Sequence, residues 1–392
     1  MKKYIFFTNI PSPYRISFYN ELFKYGFNFE VYYMRNTEAD RNWKVDPRGL
    51  KHPFYIDQGF YKMIGRYHLH FNPRLILKLL KAKGAEIIVG ASWNDIDLLI
   101  LIVLKKLGIL KNQLHFWSEA NYLTIGASND NIIKRFLRKF VYNSSNGAQI
   151  SSGKMTEITF EKWGMKGKTF INLPNTIEEE KFQITEEEID KRDQNTLPVF
   201  LMPVRLKEKI KGIINFFNSI GIENIRKGLF LIAGDGPDKE AIQRFIKSYG
   251  VDENIKLLGF CDTEEMVSLY KRANVLVLPS FSDPSPLTLV EGLIMKLPLL
   301  VSERCGNHFE AVLEGHNGYL FNPFDPTSVK LGFESLMHRV KEWRNMGFIS
   351  GGRYHEIFYR QLVIKNFIRE LTEFCHVPPA KPGACFVNSL KR

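Results

Sequence analysis

Short apolar runs alternate with helical patterns along almost the whole chain, and this alternation restricts the fold more than any other feature. In the first half, strand-like runs lie at residues 4–7, 30–33, 86–89, 114–117 and 148–150, with helical patterns at 15–24, 73–83, 96–107 and 131–142 between them. A second series of strand-like runs lies at 199–203, 229–233, 255–258, 275–278 and 299–301. Strands that are separated by helices form parallel sheets with helices on their faces. The sequence therefore predicts an α/β protein of two doubly wound, Rossmann-like domains.

The length of 392 residues also favours two domains. We expect an N-terminal domain over residues 1–180 and a C-terminal domain over residues 195–353. The acidic stretch at 177–194 has few apolar residues and is interpreted as a linker. A long helical pattern occupies residues 354–375, and the proline-containing tail at 376–392 is predicted to be mobile.

The formal net charge of +12 predicts an anionic partner, which could be nucleic acid, a membrane surface or a phosphorylated substrate. No nucleic-acid recognition motif accompanies this charge, so we expect no nucleic acid partner. The four cysteines lack the spacing of a metal site and are interpreted as reduced thiols of a cytosolic protein. The pair His68 and His70 has no clear third ligand and is interpreted as structural, so no metal site is predicted. No apolar run approaches the roughly 20 residues that cross a bilayer.

A glycine turn follows the predicted strand at 229–233. Gly234, Asp235 and Gly236 stand between this strand and a helix. Glycines let a ligand approach the backbone, and a helix N-terminus offers free N–H groups to an anion. A tight strand-to-helix turn that needs positive φ would explain the same residues equally well, and this alternative stays open.

The stretch PSFSDPSPLTLVEG, residues 279–292, places a proline- and hydroxyl-rich turn between two apolar segments. Ser285 can cap a helix whose first position is Pro286, which leaves the amides of Leu287 and Thr288 free to bind a diphosphate. Glu291 would lie one turn into this helix, where a carboxylate can accept hydrogen bonds from a ribose. Asp283, in the preceding loop, could reach a second sugar. The alternative is an ordinary capped helix with two solvated acids.

A basic loop, RLKEKIKG, follows the strand at 199–203. Arg205 and either Lys209 or Lys211 would bring positive charge to the same edge of the sheet, as neutralisation of a diphosphate requires. A solvated basic loop is the alternative interpretation.

The order of these motifs is characteristic of a family. PVRLKEKIKG, LFLIAGDGPDKEAI, the run from IKLLGF to LPLLVS, and HFEAVLEGHNGYLFNP closely resemble the nucleotide-sugar glycosyltransferases of family 4, which have the GT-B fold. The resemblance is strong over residues 200–325. It extends more loosely to YIFFTNIPSPYRISFYNEL and INLPNTI, and so to nearly the whole chain.

The resemblance implies transfer of a sugar with retention of configuration and without a required metal. Asp283 and Glu291 match the two acids of the family's Glu-x7-Glu motif, and the resemblance implies that they contact the donor sugar and the donor ribose respectively. Arg205 and one lysine match the pair that stabilises the leaving diphosphate, and Gly234 and Gly236 match the turn beside the nucleotide. The sequence departs from the family at Asp283, where glutamate is usual, at Ser285-Pro286, which replaces an aromatic-glycine pair, and in an Arg-to-Lys-Gly spacing that is one residue longer.

The N-terminal domain is expected to bind the acceptor. Tyr14 and Arg15 follow the first strand, where open α/β sheets bind ligands, or else they belong to a helix cap with a surface arginine. Glu119 follows another strand and is a candidate for contact with the acceptor hydroxyl or the donor sugar, or else a helix cap or a salt-bridge partner. The family also leads us to expect that the helix at 354–375 packs back on this domain.

The segment KRFLRKF, residues 134–140, is predicted to place its four cations on one helical face. Such a helix suits an anionic membrane surface, although a core-packed helix with a solvated basic side has the same pattern. We therefore expect a cytoplasmic protein that can be peripheral on the inner face of the membrane.

Two functions are consistent with these observations. The first is a metal-independent hexosyl- or related transferase that moves a sugar from a UDP- or GDP-sugar to a glycan or a polyprenyl-diphosphate-linked acceptor in cell-surface polysaccharide synthesis, such as capsule or O-antigen, with no further cofactor. The second is a non-catalytic GT-B protein that binds an acceptor or a partner enzyme.

Overall fold

Two parallel sheets organise the fold. The structure, a computed structural model, describes residues 2–38, 47–65, 67–124, 132–165 and 167–376. The first sheet has seven parallel strands in the order β3-β2-β1-β6-β7-β8-β9. The strands of the first half are β1 (Tyr4–Thr8), β2 (Phe29–Tyr33), β3 (Phe54–Ile56), β4 (Phe60–Ile64), β5 (Tyr67–Phe71), β6 (Glu86–Val89), β7 (Leu114–Ser118), β8 (Gln149–Ser151) and β9 (Phe170–Asn172). The helices of the first half are Pro13–Lys24, Pro73–Lys81, Ile96–Lys106, Ile132–Asn143 and Lys154–Lys162.

The second sheet has six parallel strands in the order β12-β11-β10-β13-β14-β15. Its strands are β10 (Val199–Pro203), β11 (Leu229–Ala233), β12 (Ile255–Gly259), β13 (Val275–Leu278), β14 (Leu299–Ser302) and β15 (Gly318–Phe321). The helices of this half are Glu186–Asp193, Glu208–Lys211, Ile213–Ile220, Ile222–Ile225, Lys239–Tyr249, Thr263–Arg272, Leu287–Ile294, His308–Ala311, Pro326–His338 and Trp343–Arg353. The predicted α/β class with two Rossmann-like units is confirmed.

Helices cover both faces of each sheet, so the central strands are buried throughout. All residues of β1, β6, β10, β13 and β14 are buried, which explains why these strands read as continuous apolar runs rather than as alternating patterns. One core surrounds the second sheet, and two cores lie on the opposite faces of the first. The bounds of the predicted strands lie within a residue or two of the observed bounds.

The hairpin formed by β4 and β5 was not predicted from the sequence. It is a separate two-stranded antiparallel sheet that pairs Phe60 with Phe71 and Ile64 with Tyr67. Its residues mix aromatic, basic and histidine side chains, so it lacks the apolar run of a buried parallel strand. β3, β9 and β15, which lie at the edges of their sheets, were missed as well.

The interpretation of residues 177–194 as a linker is wrong for its second part, because Glu186–Asp193 is a helix. Thr185 and Glu188 form a reciprocal capping box at its start, a signal that the sequence contains. Arg192 is buried and donates to the carbonyl oxygens of Met295 and Lys296, at 3.1 Å each. The helix is therefore part of the second half of the molecule.

The predicted helix at 354–375 is broken in two. Tyr354–Phe358 is a π-helix, and the α-helix Arg360–His376 follows it. Val363, Ile364, Phe367 and Leu371 of this α-helix pack in the core of the first half. The chain thus crosses between the halves twice, and Tyr354 donates a hydrogen bond to Glu179 of the first crossing at 2.7 Å. The tail beyond His376 lies outside the described residues.

Candidate active site

The loops that follow four strands of the second sheet share one edge of that sheet. Residues 204–211 follow β10, the glycine turn follows β11, and residues 279–286 follow β13. Residues 303–307 follow β14. The chain order reverses at β10, which lies between β11 and β13. Open α/β sheets bind ligands at such a switch point, so this edge is where a ligand is expected.

The glycine turn is tight because two backbone segments meet there. A Cβ atom on Gly234 would lie 2.1 Å from the carbonyl oxygen of Val204, and one on Gly236 would lie 2.4 Å from that of Leu206. Gly234 also has a φ of 147°, a value that favours glycine. The hydrogen bond from the Gly236 amide lowers the pKa of Asp235. Packing alone therefore requires both glycines, and contact of this turn with a nucleotide stays a prediction.

Lys211 and Asp283 form an ion pair at this edge. Lys211 ends the short helix after β10 and Asp283 lies in the loop after β13, and each side chain is less than one-fifth exposed. Lys209 and Arg205 are exposed, and neither has an ion pair within the described parts of the chain. Of the two lysines that the sequence offered, Lys211 is therefore the one directed at the 279–286 loop.

The helix that follows this loop begins one residue later than predicted. Pro286, with φ −65° and ψ 122°, is the N-cap, and the first helical residue is Leu287. Ser285 makes no capping bond and instead accepts a hydrogen bond from Asn175 of the first half, at 3.3 Å. The assignment of Ser285 as cap is wrong because the extended Pro286 directs the preceding residue away from the helix. Within the described residues, the amides of Leu287 and Thr288 have no hydrogen-bond partner.

Glu291 lies one turn into this helix and is largely enclosed. Tyr270 is completely buried and donates a hydrogen bond from its hydroxyl to Oε2 of Glu291 at 2.6 Å. Burial raises the pKa of Glu291, and the hydrogen bond from Tyr270 partly offsets this rise. Tyr270 was not singled out in the sequence, because its distance of 21 residues from Glu291 gives no local signal.

Three candidate residues of the first half lie together. The hydroxyl of Tyr14 donates to Oε1 of Glu119 at 3.3 Å, and Nη2 of Arg15 lies 3.4 Å from the same oxygen. Burial, together with the charge of Glu119, raises the pKa of Tyr14. The guanidinium of Arg15 lies 3.8 Å above the ring of Trp117 and is buried, so the alternative of a surface arginine is wrong.

A cavity of about 500 Å³ opens beside this cluster. Its lining comes from the first half, including Arg15, Trp117 and Glu119, with the exception of Pro284. Pro284 directly follows Asp283 in the chain. The cavity therefore adjoins the loop that carries the Lys211–Asp283 pair.

His68 and His70 also line the cavity, and this is a feature that sequence reasoning missed. Nδ1 of His70 lies 2.7 Å from the carboxylate of Asp95, and its Nε2 lies 3.4 Å from Glu38. Burial by itself lowers the pKa of His70, but the two carboxylates outweigh it and raise the pKa to about 9. His70 is therefore a cation that is held between two acids in the wall of the cavity.

The helix Ile132–Asn143 also reaches the cavity, and its orientation differs from both sequence-based alternatives. Arg138 is buried, with its guanidinium 4.1 Å from the ring of Trp163, whereas Phe136 is 68% exposed and Leu137 is 37% exposed. The stripe of Arg138, Val141 and Tyr142 packs inward. The prediction that all four cations share one face is wrong, because Arg138 stacks on a tryptophan that follows it by 25 residues.

Among the described residues, Glu86, His115 and Cys375 are the only trio of possible metal ligands that lie within reach of one another. Nε2 of His115 lies 2.7 Å from Glu86, and its Nδ1 accepts a hydrogen bond from the Ala148 amide at 3.1 Å. Both ring nitrogens are thus engaged within the protein, which fits a structural cluster.

Comparison with known proteins gives a family match. Residues 183–347 match the family "Glycosyl transferases group 1". The matched segment of this chain is similar to a group 1 glycosyltransferase domain. The matched segment includes every loop of the edge described above. The match confirms the resemblance to glycosyltransferases with the GT-B fold. The narrower assignment to family 4 stays a prediction.

Two curated relatives match different lengths of this chain. An alpha-monoglucosyldiacylglycerol synthase of Acholeplasma laidlawii is 28% identical over 42% of this chain, which spans 41% of that relative. A Campylobacter jejuni enzyme is 24% identical over 73% of each chain, and its name describes an alpha-1,4-N-acetyl-D-galactosaminyltransferase that acts on a glycan linked to PP-undecaprenol.

The fold is also similar to a solved structure. Anabaena HepE in complex with UDP has a TM-score of 0.72 at 13% identity, with 95% of this chain and 100% of that chain covered. At this identity the likeness concerns the fold alone. Of the described helices, none is both long enough and apolar enough to cross a membrane.

Proposed function

We propose that the protein is a retaining glycosyltransferase, hexosyl- or related and not dependent on a metal. It would move a sugar from a nucleotide diphosphate sugar, such as a UDP- or GDP-sugar, to a glycan or a polyprenyl-diphosphate-linked oligosaccharide. The role would be in cell-surface polysaccharide synthesis. The match to group 1 glycosyltransferases and the relatives whose names describe glucosyl and N-acetylgalactosaminyl transfer support the reaction class.

The arrangement of charge supports the assignment of the donor side. The amides of Leu287 and Thr288 are available at the start of a helix, where the helix dipole favours an anion. Arg205 and Lys211 come from the neighbouring loop and would supply positive charge to the same diphosphate. Glu291, which Tyr270 orients, would accept hydrogen bonds from the ribose hydroxyls.

The chemistry proposed for these residues is stabilisation of the leaving group. As the bond between the anomeric carbon and the phosphate oxygen breaks, negative charge develops on the diphosphate, and preorganised amides and cations stabilise it. The acceptor hydroxyl forms the new bond on the same face of the sugar, and its proton passes to the departing phosphate oxygen. Asp283 would contact the donor sugar, and Lys211 would hold its carboxylate in place.

The position of the cavity is the observation that carries this proposal. Pro284 belongs to the loop between Asp283 and the helix that begins at Leu287, and it also forms one wall of the cavity beside Arg15 and Glu119. A donor sugar at Asp283 and an acceptor in the cavity would therefore be neighbours. Glu119 would contact the acceptor hydroxyl or the donor sugar.

The test combines binding and transfer. Isothermal titration with UDP and GDP should give a dissociation constant for one of them, and a donor screen with a labelled polyprenyl-diphosphate-linked acceptor should yield product, also in excess EDTA. Glu291→Ala should abolish transfer and weaken nucleotide binding, while Glu240→Ala, which removes an exposed carboxylate from the helix Lys239–Tyr249, should change neither. NMR of the product would give its anomeric configuration.

Two results would contradict the proposal. Normal transfer by Glu291→Ala would refute the site assignment. The absence of binding to any nucleoside diphosphate would favour the alternative of a non-catalytic GT-B protein that binds an acceptor or a partner enzyme.

Peripheral attachment to the inner face of the cytoplasmic membrane is part of the proposal. The exposed side of the helix Ile132–Asn143 combines Ile132, Ile133 and Phe136, which are 64% to 76% exposed, with Arg135 and Lys139. Apolar and basic side chains on one exposed helix suit the surface of an anionic bilayer.

A further inference from the structure

The hairpin of β4 and β5 has two chemically different faces. Successive residues of a strand point to opposite sides, so the register of the hairpin sorts its side chains. One side carries Tyr61, Met63, His68 and His70, and both histidines line the cavity. The opposite side, which we call the outer face, carries Phe60, Lys62, Ile64, Leu69 and Phe71.

The outer face is largely uncovered. Phe60 is 63% exposed, Ile64 is 53% exposed and Phe71 is 41% exposed. An isolated two-stranded sheet is marginally stable in water, and apolar patches on a soluble surface mark interaction sites. On the inner side Tyr61 lies 2.8 Å from His68, and Nδ1 of His70 lies 2.7 Å from Asp95, which ties the hairpin to the segment before the helix Ile96–Lys106.

The charge around the outer face indicates which kind of surface it can bind. Residues 58–74, which include the hairpin and the start of the helix Pro73–Lys81, contain three lysines and arginines and no aspartate or glutamate. Residues 1–180 contain 26 basic and 16 acidic residues, so most of the net charge of +12 lies in the first half. Exposed aromatic and aliphatic side chains with lysine among them, in a region that has no acids, complement an anionic lipid surface.

We infer that the outer face of the β4–β5 hairpin docks on an anionic bilayer, with Phe60, Ile64 and Phe71 entering the headgroup region and Lys62 contacting lipid phosphates. Because the inner side of the same hairpin forms part of the cavity wall, docking would place the cavity directly against the membrane. A lipid-linked acceptor could then enter the cavity without leaving the bilayer. This inference deepens the proposed function and rests on it only for the nature of the acceptor.

Vesicle binding tests the inference independently of transfer. The full chain is sedimented with vesicles of phosphatidylglycerol and phosphatidylcholine in equal amounts, and with vesicles of phosphatidylcholine alone. We expect binding to the anionic vesicles, weakened by salt, and about tenfold weaker binding for the double variant Phe60→Ser/Ile64→Ser. Lys62→Gln should weaken binding severalfold, since each basic residue near such a surface contributes about 1 kcal/mol.

The matched control removes two similarly exposed apolar side chains from the second half. Leu331→Ser/Val340→Ser alters residues that are 58% and 42% exposed and should bind vesicles like the wild type. All variants should keep the thermal midpoint and the UDP affinity of the wild type, which separates a docking defect from misfolding and from failure of the donor site.

Three outcomes would overturn the inference. The first is unchanged vesicle binding by Phe60→Ser/Ile64→Ser. The second is equal binding of the wild type to neutral and anionic vesicles. The third is a wild-type dimer in sedimentation velocity that Phe60→Ser/Ile64→Ser converts to a monomer, because the occupant of the outer face would then be a second copy of the chain.

Discussion

Removal of the Tyr270 hydroxyl is the sharpest test of the donor site, because it changes one atom behind Glu291. In Tyr270→Phe the ring keeps its buried position, which includes an edge contact with Phe182 at 6.1 Å between ring centroids. What is lost is the hydrogen bond from the hydroxyl to Oε2 of Glu291 at 2.6 Å. The carboxylate then remains enclosed without this donor.

The size of the effect follows from the type of hydrogen bond. A hydrogen bond to a charged group contributes about 1.5–3 kcal/mol, and each 1.4 kcal/mol corresponds to about tenfold in affinity. Because this hydrogen bond is also present without a ligand, only the part of its energy that orients the carboxylate reaches binding. If Glu291 binds the ribose, the dissociation constant for the preferred nucleoside diphosphate should rise by about tenfold. Isothermal titration of wild type and variant measures this ratio directly.

The pH dependence gives a second readout with a defined sign. Burial raises the pKa of Glu291, so the ionised form that accepts hydrogen bonds from a ribose is lost, as pH falls, at a higher pH than for an ordinary glutamate. The hydrogen bond from Tyr270 lowers this pKa, and its removal should move the loss of nucleotide binding to a still higher pH.

Tyr354→Phe is the matched control. Tyr354 is also completely buried, and its hydroxyl also donates to a carboxylate, that of Glu179, at 2.7 Å. The control should lose stability without a change in nucleotide affinity. If Tyr270→Phe binds UDP and GDP with the wild-type affinity and pH profile, the assignment of Glu291 to the ribose is wrong.

Three further predictions concern other parts of the site. Arg205→Ala should lower turnover by about 10- to 100-fold, with a smaller effect on donor affinity, whereas removal of the exposed Lys209 should leave the steady-state kinetics unchanged. Gly234→Ala should destabilise the protein by about 3 kcal/mol or more in urea unfolding, because its Cβ would meet the Val204 carbonyl, while Gly259→Ala, at φ 80° with open space around it, should cost only about 1–2 kcal/mol. The pKa of His70 is raised to about 9, so its contribution to stability should be complete below pH 6.5 and disappear as the pH rises towards 9; His70→Gln should abolish this dependence in thermal unfolding, and its persistence would contradict the assignment.

Much of the candidate donor site could be predicted from local sequence. The glycines of the turn, the basic loop and the acids at 283 and 291 each follow a strand that its apolar run reveals. Because parallel strands end on the same edge of a sheet, their order along the chain was enough to bring these residues together. The start of the helix at Leu287 was misplaced by one residue, since the extended conformation of Pro286 is set by its surroundings.

The acceptor side was predicted less completely. Arg15 and Glu119 were found because they follow strands, but His70 was interpreted as structural. On the donor side, Tyr270 was not noticed. Both act through partners that lie 21 or more residues away in the chain, Asp95 for the histidine and Glu291 for the tyrosine. The hairpin that carries His70 has no apolar run to reveal it.

The sequence by itself determined the two α/β units, the edge on which their loops meet and the basic character of the first half. These follow from periodicity and composition, which are local or additive properties of the chain. Only the tertiary structure decided that Arg138 turns inward onto a tryptophan, that Lys211 rather than Lys209 meets Asp283, and that the hairpin presents an apolar face to solvent. Such choices depend on which side chains meet across distant segments, and a short-range pattern holds no information on that.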